Sequence, residues 1–230
     1  IVRADTPDDA PETARLVWLN SPANPTGEVL PVDRLRAWVD WARARGAVLA
    51  SDECYLTLGW EETPVSVLAV CGDRIDRGLA VHSLSKRSNL AGYRAGFIAG
   101  DPALVEQLRE LRKHAGLIVP APVQAAMVAA LGDETHVATQ RARYAARRDR
   151  LRAALIGAGF EVEHSRAGLY LWATRGEACE QTVDWLADRG ILVAPGDFYG
   201  PAGKQHVRVA LTATDERVAA AAARLAGPAP

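Results

Sequence analysis

The sequence lacks the excess of basic residues that is typical of nucleic-acid-binding proteins. Its 230 residues include 27 lysines and arginines against 28 acidic residues, which gives a net charge of −1. A surface that binds a polyanion needs a marked basic excess. We therefore expect no nucleic-acid partner, and we interpret the arginine-rich run Arg141–Arg152 as a solvated helix face.

Cysteine is scarce, and its three copies are far apart. Cys54, Cys71 and Cys179 form no C-x-x-C pair, and their number is odd. This usage favours a reducing, cytoplasmic environment over a disulfide framework. The five histidines show no metal-binding spacing either, so the sequence predicts no metal site.

Long apolar runs and a signal peptide are absent as well. No run reaches membrane-spanning length, so we expect a protein without a membrane partner. The chain does not start with Met, and its first five residues read like the end of a strand. We therefore expect that an N-terminal part is missing.

What the sequence does contain is an alternation of strands and helices. Hydrophobic residues make up 49% of the chain, enough for a sizeable core. We predict strands at 14–19, 47–50 and 78–81, and a helix over 31–45 that stops at Gly46. This alternation predicts an α/β fold with a mostly parallel sheet. Ligands collect beyond the carboxyl ends of such strands, where Asn24, Asp52 and Lys86 fall.

The second part of the chain has shorter elements. We predict strands at 160–163, 169–173, 191–194 and 207–211, and helices at 177–188 and 215–225. This pattern indicates a smaller α+β unit. We place the domain change within the helical stretch 133–156, which gives an incomplete large domain over 1–139 and a small domain over 140–230.

One stretch combines a lysine with groups that suit an anion. Lys86 lies one residue after Ser85 and three after Ser83, in a predicted loop between two strands, and Arg94 follows. A lysine can form a Schiff base with an aldehyde cofactor, and hydroxyls with an arginine suit a phosphate. A surface loop with ordinary charges is the alternative interpretation.

Four motifs in order make a more specific pattern. Its parts are Asn24-Pro25-Thr26-Gly27, Asp52-x-x-Tyr55, Ser83-x-Ser85-Lys86 and Arg94. The pattern resembles the class I/II aminotransferases of fold type I, which depend on pyridoxal 5'-phosphate, and the resemblance extends over nearly the whole chain after its first dozen residues.

The resemblance implies two central roles in catalysis. Lys86 would hold the cofactor aldehyde as a Schiff base and then serve as general base. Asp52 would keep the pyridine nitrogen of the cofactor protonated. Without the resemblance, Lys86 reads as a surface lysine and Asp52 as a turn or N-cap aspartate.

The same resemblance implies further cofactor-binding residues. Asn24 and Tyr55 would donate hydrogen bonds to the ring hydroxylate, and the alternatives are a turn asparagine and a core tyrosine. Ser83, Ser85 and Arg94 would bind the phosphate. The phosphate-binding turn and ring-stacking aromatic that family members carry upstream are not found in this sequence.

Two residues of the smaller unit match substrate-binding positions of the family. Arg208 interrupts an apolar strand, and a charge there should be paired. The resemblance implies that it binds the substrate α-carboxylate, whereas a structural ion pair is the alternative. Gly168 precedes an aromatic strand and would let the backbone approach the substrate.

The run Lys86-Arg87-Ser88-Asn89 is most like the succinyldiaminopimelate aminotransferases of lysine and diaminopimelate synthesis. The implied reaction moves an amino group between glutamate (returning 2-oxoglutarate) and N-succinyl-2-amino-6-oxopimelate. Arg87 would favour an acidic substrate, with surface solvation as the simpler explanation. The family also implies a homodimer.

Three other functions stay open. An aminotransferase for aspartate, alanine or aromatic acids would share every residue named above. A pyridoxal-phosphate lyase of the same fold would also keep Lys86 and Asp52. A ligand-sensing regulator built on an aminotransferase-like domain would carry an upstream helix-turn-helix and a basic segment.

Overall fold

The computed structural model describes residues 1–227 and divides the chain into two compact units. The first unit contains residues 1–22, 29–57 and 63–137. The second contains residues 23–28 and 58–62 together with the chain from Ala138 onward. The assignment of 1–139 and 140–230 to two functional domains stays a prediction.

A four-stranded sheet organises the first unit. Its spatial order is β1-β2-β3-β4, with β1 to β3 parallel and β4 antiparallel to β3. The strands are β1 (Leu16–Asn20), β2 (Val48–Asp52), β3 (Gly78–Ser83) and β4 (Gly96–Gly100). The sheet confirms the prediction of an α/β fold with mostly parallel strands.

Five helices lie within this unit, and a sixth begins in it. They are α1 (Val32–Arg45), α2 (Val67–Cys71), α3 (Leu84–Arg87), α4 (Pro102–His114), α5 (Ala121–Leu131) and α6 (Thr135–Gly157). Helix α1 buries Leu35, Trp38, Val39 and Ala42, which recur at helical spacing, against the core of the unit. Gly46 ends it in a left-handed conformation, as the sequence predicts.

Helix α4 begins at an aspartate cap. Asp101 Oδ1 accepts hydrogen bonds from the backbone N–H groups of Ala103 and Leu104 at 2.8 and 3.1 Å. Its other carboxylate oxygen accepts from the N–H of Arg77 at 2.7 Å. These bonds, led by the one from Arg77, hold the pKa of Asp101 below its ordinary value. The side chain thus fixes both the start of α4 and the turn before β3.

The strand after the lysine segment requires a glycine at its start. Strands β3 and β4 pair with Ser83 opposite Gly96. A Cβ atom at Gly96 would lie 2.6 Å from the carbonyl oxygen of His82, which is closer than side chains tolerate. The close pairing of the two strands therefore depends on the absence of a side chain at Gly96.

The second unit holds an antiparallel sheet in the order β5-β6-β8-β7. Its strands are β5 (Glu161–Glu163), β6 (Tyr170–Thr174), β7 (Ala194–Pro195) and β8 (His206–Ala210). Two helices, α7 (Cys179–Ala187) and α8 (Asp215–Ala226), accompany most of α6. This composition confirms the predicted small α+β unit.

One predicted strand is wrong in extent. The apolar run 191–194 predicts a strand, but β7 contains only Ala194 and Pro195. Leu192 is 92% exposed, so the apolar run does not enter the core. Among the described residues, no helix is both long and apolar enough to span a membrane.

Candidate active site

The parallel strands of the first unit end side by side. Asn20, the last residue of β1, is the register partner of Asp52, the last residue of β2. Asp52 is in turn the partner of Val81, two residues before the end of β3. The carboxyl ends of three strands therefore form one edge, with Asp52 at the end of β2 and Ser83 at the end of β3.

Asp52 is held at this edge through its backbone and its side chain. Its carbonyl oxygen accepts hydrogen bonds from the side-chain amide of Asn20 at 3.3 Å and from the N–H of Ser21 at 3.2 Å. Its Oδ1 accepts from the N–H of Cys54 at 3.1 Å. The turn aspartate considered as an alternative is thus present, and one carboxylate oxygen takes part in it.

Cys54 is affected by both Asp52 and Lys86. Burial raises the pKa of the Cys54 thiol to about 12, with the charge of Asp52 and a hydrogen bond to it acting in the same direction. The positive charge of Lys86 acts in the opposite direction. The charges of Asp52 and Lys86 therefore both act on one thiol, although the two residues are 34 positions apart in sequence.

Lys86 lies in a short helix, which corrects the prediction of a loop. Helix α3 runs from Leu84 to Arg87 directly after β3. Ser83 caps this helix, because its Oγ accepts a hydrogen bond from the N–H of Ser85 at 3.1 Å. A four-residue helix is too short to show a hydrophobic period, so the sequence gives no signal for it.

Arg94 lies at the same end of β3 as the two serines. The N–H of Leu84 donates to the carbonyl oxygen of Ala95 at 3.2 Å, which joins the residues that follow Ser83 and Arg94 in sequence. Arg94 is exposed, has a left-handed backbone with φ of 53°, and donates from Nη1 to the carbonyl oxygen of Ala91 at 2.8 Å.

Tyr55 is buried, with 3% of its surface exposed. This burial is what the alternative interpretation of Tyr55, a core tyrosine, predicts. Its position three residues after Asp52 keeps it at the end of β2.

Arg87 has contacts that the sequence does not reveal. Its side chain is 15% exposed and forms an ion pair with Glu134. It also donates to the carbonyl oxygen of Ala130 at 3.0 Å and to Ser88 Oγ at 3.2 Å. The expectation of a solvated Arg87 is therefore wrong: the guanidinium connects α3 to the end of α5.

One cavity of the first unit touches few of the predicted site residues. It has a volume of about 900 Å³ and lies along β4, α4 and α5, with apolar residues such as Leu108, Ile118 and Met127 in its lining. Of the predicted site residues, it touches Arg94 alone. We therefore define the candidate site by its side chains and not by cavity size.

In the second unit, Arg208 is paired with Asn24. Arg208 Nη1 donates a hydrogen bond to Asn24 Oδ1 at 3.0 Å. Two aromatic rings lie against the guanidinium: its carbon is 3.9 Å from the ring centre of Tyr170 and 4.9 Å from that of Tyr199. An amide and two aromatic faces therefore contact the charge in the apolar strand β8.

The turn that contains Asn24 is fixed within the same unit. The carbonyl oxygen of Gly27 accepts hydrogen bonds from the N–H groups of Arg166 and Ala167, each at 3.1 Å. Gly27 has a φ of +71°, and a Cβ there would lie 2.5 Å from the carbonyl oxygen of Ala167. The glycine of the Asn24–Gly27 motif thus permits the close approach of two chain segments.

Gly168 also adopts a backbone conformation that favours glycine. Its φ is +83°, its N–H donates to the carbonyl oxygen of Leu58, and its own carbonyl accepts from Trp60 Nε1, both at 2.9 Å. No atom lies within 4 Å of the position of a Cβ. The backbone conformation alone is thus a sufficient reason for glycine here, and its predicted substrate role stays a prediction.

The comparison with known families agrees with the order of these motifs. Residues 4–225 match the family described as aminotransferase class I and II. The chain belongs to the class I and II aminotransferases. Its fold is that of the fold-type I members, as the sequence predicts.

Individual relatives of this aminotransferase chain differ in what they act on. It is 68% identical over 216 residues to the 4-dedimethylamino-4-oxo-anhydrotetracycline transaminase of Streptomyces rimosus, covering 93% of this chain and 60% of the relative. It is 64% identical over 228 residues to a probable aminotransferase of Mycobacterium tuberculosis, covering 98% and 54%. The chain thus spans little more than half the length of these two relatives.

A solved structure also resembles it closely. The N-succinyldiaminopimelate aminotransferase of Mycobacterium tuberculosis matches with a TM-score of 0.85 and 27% identity, over 96% of this chain and 60% of the other. The resemblance to that enzyme therefore includes the fold, while the sequence identity to the Streptomyces rimosus transaminase is higher.

Proposed function

We propose that this chain carries the cofactor-binding lysine and the substrate-binding arginine of a pyridoxal-phosphate-dependent aminotransferase. The observation that carries the proposal is the shared edge of the sheet, where β2 ends at Asp52 and the paired strand β3 leads directly into the helix that contains Lys86. Membership of the class I and II aminotransferases supports it.

The residues present fit pyridoxal phosphate by their chemistry. The edge formed by β2, β3 and β4 offers a primary amine at Lys86, a carboxylate at Asp52, and hydroxyls and a guanidinium at Ser83, Ser85 and Arg94. When bound, this cofactor supplies an aldehyde for amines and a protonated ring that accepts electrons from the substrate α-carbon.

In this proposal, residues of the first unit hold the cofactor and move one proton. Lys86 would hold the aldehyde of the cofactor, and its amine, when free, would act as the base for the proton on the substrate α-carbon. Asp52 keeps the ring nitrogen protonated, and Tyr55 donates a hydrogen bond to the ring oxygen. Ser83, Ser85 and Arg94 bind the phosphate.

Residues of the second unit hold the ring oxygen and the substrate. Asn24 is proposed to donate its side-chain N–H to the ring oxygen while its Oδ1 accepts from Arg208. Arg208 is proposed to bind the α-carboxylate of the amino acid by paired hydrogen bonds. Gly168 is proposed to leave room for the substrate backbone.

For the substrate pair, we propose glutamate/2-oxoglutarate with N-succinyl-2-amino-6-oxopimelate, a reaction of diaminopimelate and lysine biosynthesis. The run Lys86–Asn89 and the similarity to the N-succinyldiaminopimelate aminotransferase structure support it. Arg87 gives no support, because its side chain is engaged with Glu134.

A second candidate acceptor follows from the 68% identity to the Streptomyces rimosus transaminase. That relative's name indicates a keto group on a fused-ring polyketide as its substrate. A panel of acceptors with glutamate as donor separates the two candidates. The panel should contain N-succinyl-2-amino-6-oxopimelate, simple keto acids related to aspartate, alanine and phenylalanine, and a 4-oxo-anhydrotetracycline.

A cytoplasmic homodimer completes the proposal. All three cysteines are free thiols, which suits a reducing compartment. Light scattering on the active protein tests the dimer, and an active monomer would disprove it.

The decisive experiment is the absorbance spectrum with pyridoxal phosphate, before and after glutamate, with Lys86→Ala alongside. We expect a Schiff-base band that requires Lys86 and that glutamate converts to the band of the pyridoxamine form. Lys113→Ala is the matched control, because Lys113 is an exposed lysine on α4.

Other outcomes point to the competing functions. A band that needs Lys86 and ignores glutamate, with release of ammonia from an amino acid, would indicate a lyase. A band without turnover of any amino acid would favour a ligand-sensing regulator. An unchanged band in Lys86→Ala would overturn the assigned role of Lys86.

A further inference from the structure

The residue after Asp52 is a buried carboxylate that faces a histidine. The side chain of Glu53 has 0% exposure. Its Oε1 accepts a hydrogen bond from the N–H of Val67 at 2.7 Å, and its Oε2 lies 3.4 Å from His82 Nε2. Oε2 accepts no hydrogen bond within the described residues. Because a buried carboxylate is costly without a partner, Glu53 depends on the imidazole of His82.

His82 is fixed on a second side by an aromatic ring. Its imidazole stacks on Phe97, with ring centres 5.0 Å apart and planes 25° apart. The two residues are register partners in β3 and β4. The His82 side chain is 22% exposed, so the ring is held between the carboxylate and Phe97 with little freedom to rotate.

The two partners lie directly beside the residues proposed for the chemistry. Glu53 follows Asp52, and its N–H donates to the carbonyl oxygen of Val81 at 2.9 Å. His82 comes next after Val81, and Ser83 and Lys86 follow it. A backbone bond and a side-chain pair therefore join the ends of β2 and β3 at the same place.

We propose that Glu53 and His82 are positioning residues that fix the ends of β2 and β3, and with them the place of Asp52 relative to Lys86. The benefit to the cofactor rests on the proposed function, whereas the positioning itself does not. A displacement of catalytic groups by about 1 Å can lower the reaction rate about a hundredfold, so a pair that fixes their positions can affect activity without touching the substrate.

The alternative is a pair that only stabilises the fold. Buried ion pairs contribute little net stability, while removal of one partner leaves an uncompensated group in the core. Three variants separate the two roles: Glu53→Gln, His82→Gln and the double variant. In Glu53→Gln, the side chain keeps an oxygen for the N–H of Val67 but loses the carboxylate. The three variants form a double-mutant cycle, which isolates the interaction energy between residues 53 and 82.

The first measurement is amide hydrogen exchange of the chain without cofactor. In Glu53→Gln we expect faster exchange in peptides over residues 52–57 and 81–88, with peptides from α1 unchanged. His82→Gln should give the same pattern, and it serves as the milder variant because His82 is partly exposed. Equal acceleration in all peptides, or none, would overturn the proposal.

The second measurement is binding of pyridoxal phosphate, read from the Schiff-base band. Each single variant should weaken binding by roughly tenfold, because a small displacement of Asp52 or Lys86 weakens their proposed contacts with the cofactor, and the double variant by less than the product. Losses of binding that are no larger than the accompanying losses in the free energy of unfolding, in all three variants, would instead indicate a purely structural pair.

A matched control exists in the second unit. Glu163 and His206 form a similar pair, with Oε2 and Nε2 3.0 Å apart, but the Glu163 side chain is 44% exposed. Glu163→Gln should leave exchange over 52–57 and 81–88 unchanged. A missing Schiff-base band in the unsubstituted protein would count against the proposed function, while the exchange pattern would still decide the role of Glu53 and His82.

Discussion

Arg208 Nη1 donates a hydrogen bond to Asn24 Oδ1 at 3.0 Å, across 184 positions of sequence. The bond uses one donor of the guanidinium, and the rings of Tyr170 and Tyr199 lie against it. Such a setting orients the remaining donors, since the planar group can rotate little between its neighbours.

Arg208→Lys should therefore impair substrate binding, although the lysine retains the positive charge. We expect KM for glutamate to rise by roughly tenfold to a hundredfold, because a single ammonium cannot form paired hydrogen bonds with a carboxylate. Steady-state kinetics measure this change. Arg217→Lys, at an exposed position of α8, is the control and should leave KM unchanged.

The environment of Cys54 gives a test that needs no cofactor. Its thiol has a pKa raised to about 12, chiefly by burial and then by Asp52, while Lys86 acts in the opposite direction. Since the thiolate is the reactive form, Asp52→Asn should speed alkylation of Cys54 at pH 9 and Lys86→Ala should slow it.

The pH dependence of the iodoacetamide rate, followed by mass spectrometry, measures both changes. Cys71 is the internal control, because its pKa is raised by burial and by charges that include neither Asp52 nor Lys86. Equal rates at Cys54 in both variants would contradict the closeness of Asp52 and Lys86.

The close pairing of β3 and β4 predicts that alanine at Gly96 lowers stability far more than alanine at Gly92. Gly96→Ala should destabilise the protein by roughly 1–3 kcal/mol, because the new methyl would collide with the backbone of His82. Gly92→Ala should have little effect, since no atom lies within 4 Å of its Cβ position. Denaturant unfolding of the two variants measures the difference, and similar losses would argue against the strand pairing.

The cap of α4 predicts both a stability loss and its pH dependence. Asp101→Ala should cost about 1 kcal/mol, the usual effect of losing an N-cap acceptor. The pKa of Asp101 is lowered in the folded state, so the charge contributes stability above its ordinary value of 3.8. That contribution is lost as the pH falls through the lower folded-state value.

Asp101→Asn separates the hydrogen bonds from the charge. Asparagine caps helices about as well as aspartate, so we expect a smaller loss at neutral pH and no acid-dependent part from this position. Urea unfolding between pH 3 and 7 measures both variants. A loss in Asp101→Asn as large as that in Asp101→Ala would show that the cap geometry itself is disturbed.

The parts of the fold that were predictable have strong local signals. Helix α1 combines apolar residues at helical spacing with Gly46 at its end, and both features appear in the structure. The run 191–194 misled because a short apolar segment looks alike whether it is buried or, as at Leu192, exposed. Helix α3 is too short to have a period at all.

The sequence proposes a set of site residues but not the contacts between them. Motif order pointed to Asp52 and Lys86, but the place of Cys54 beside both depends on strand register. The partners of Arg208 lie far away in sequence, and no spacing rule connects them. Glu53 and His82 gave no signal either, because a buried carboxylate looks like any other acidic residue until its surroundings are known.

The second unit includes residues 23–28 and 58–62, two short pieces from within the first half of the chain. Gly59 bridges Ala167, and the Asn24–Gly27 turn bonds to residues 165–167. A single cut near residue 139 would therefore not yield two modules that can be exchanged between relatives. A chimera could join the first half of one parent to the second half of another. In such a chimera, residues 23–28 and 58–62 of the first parent must still fit residues 165–167 of the second, although these positions lie far from the joint.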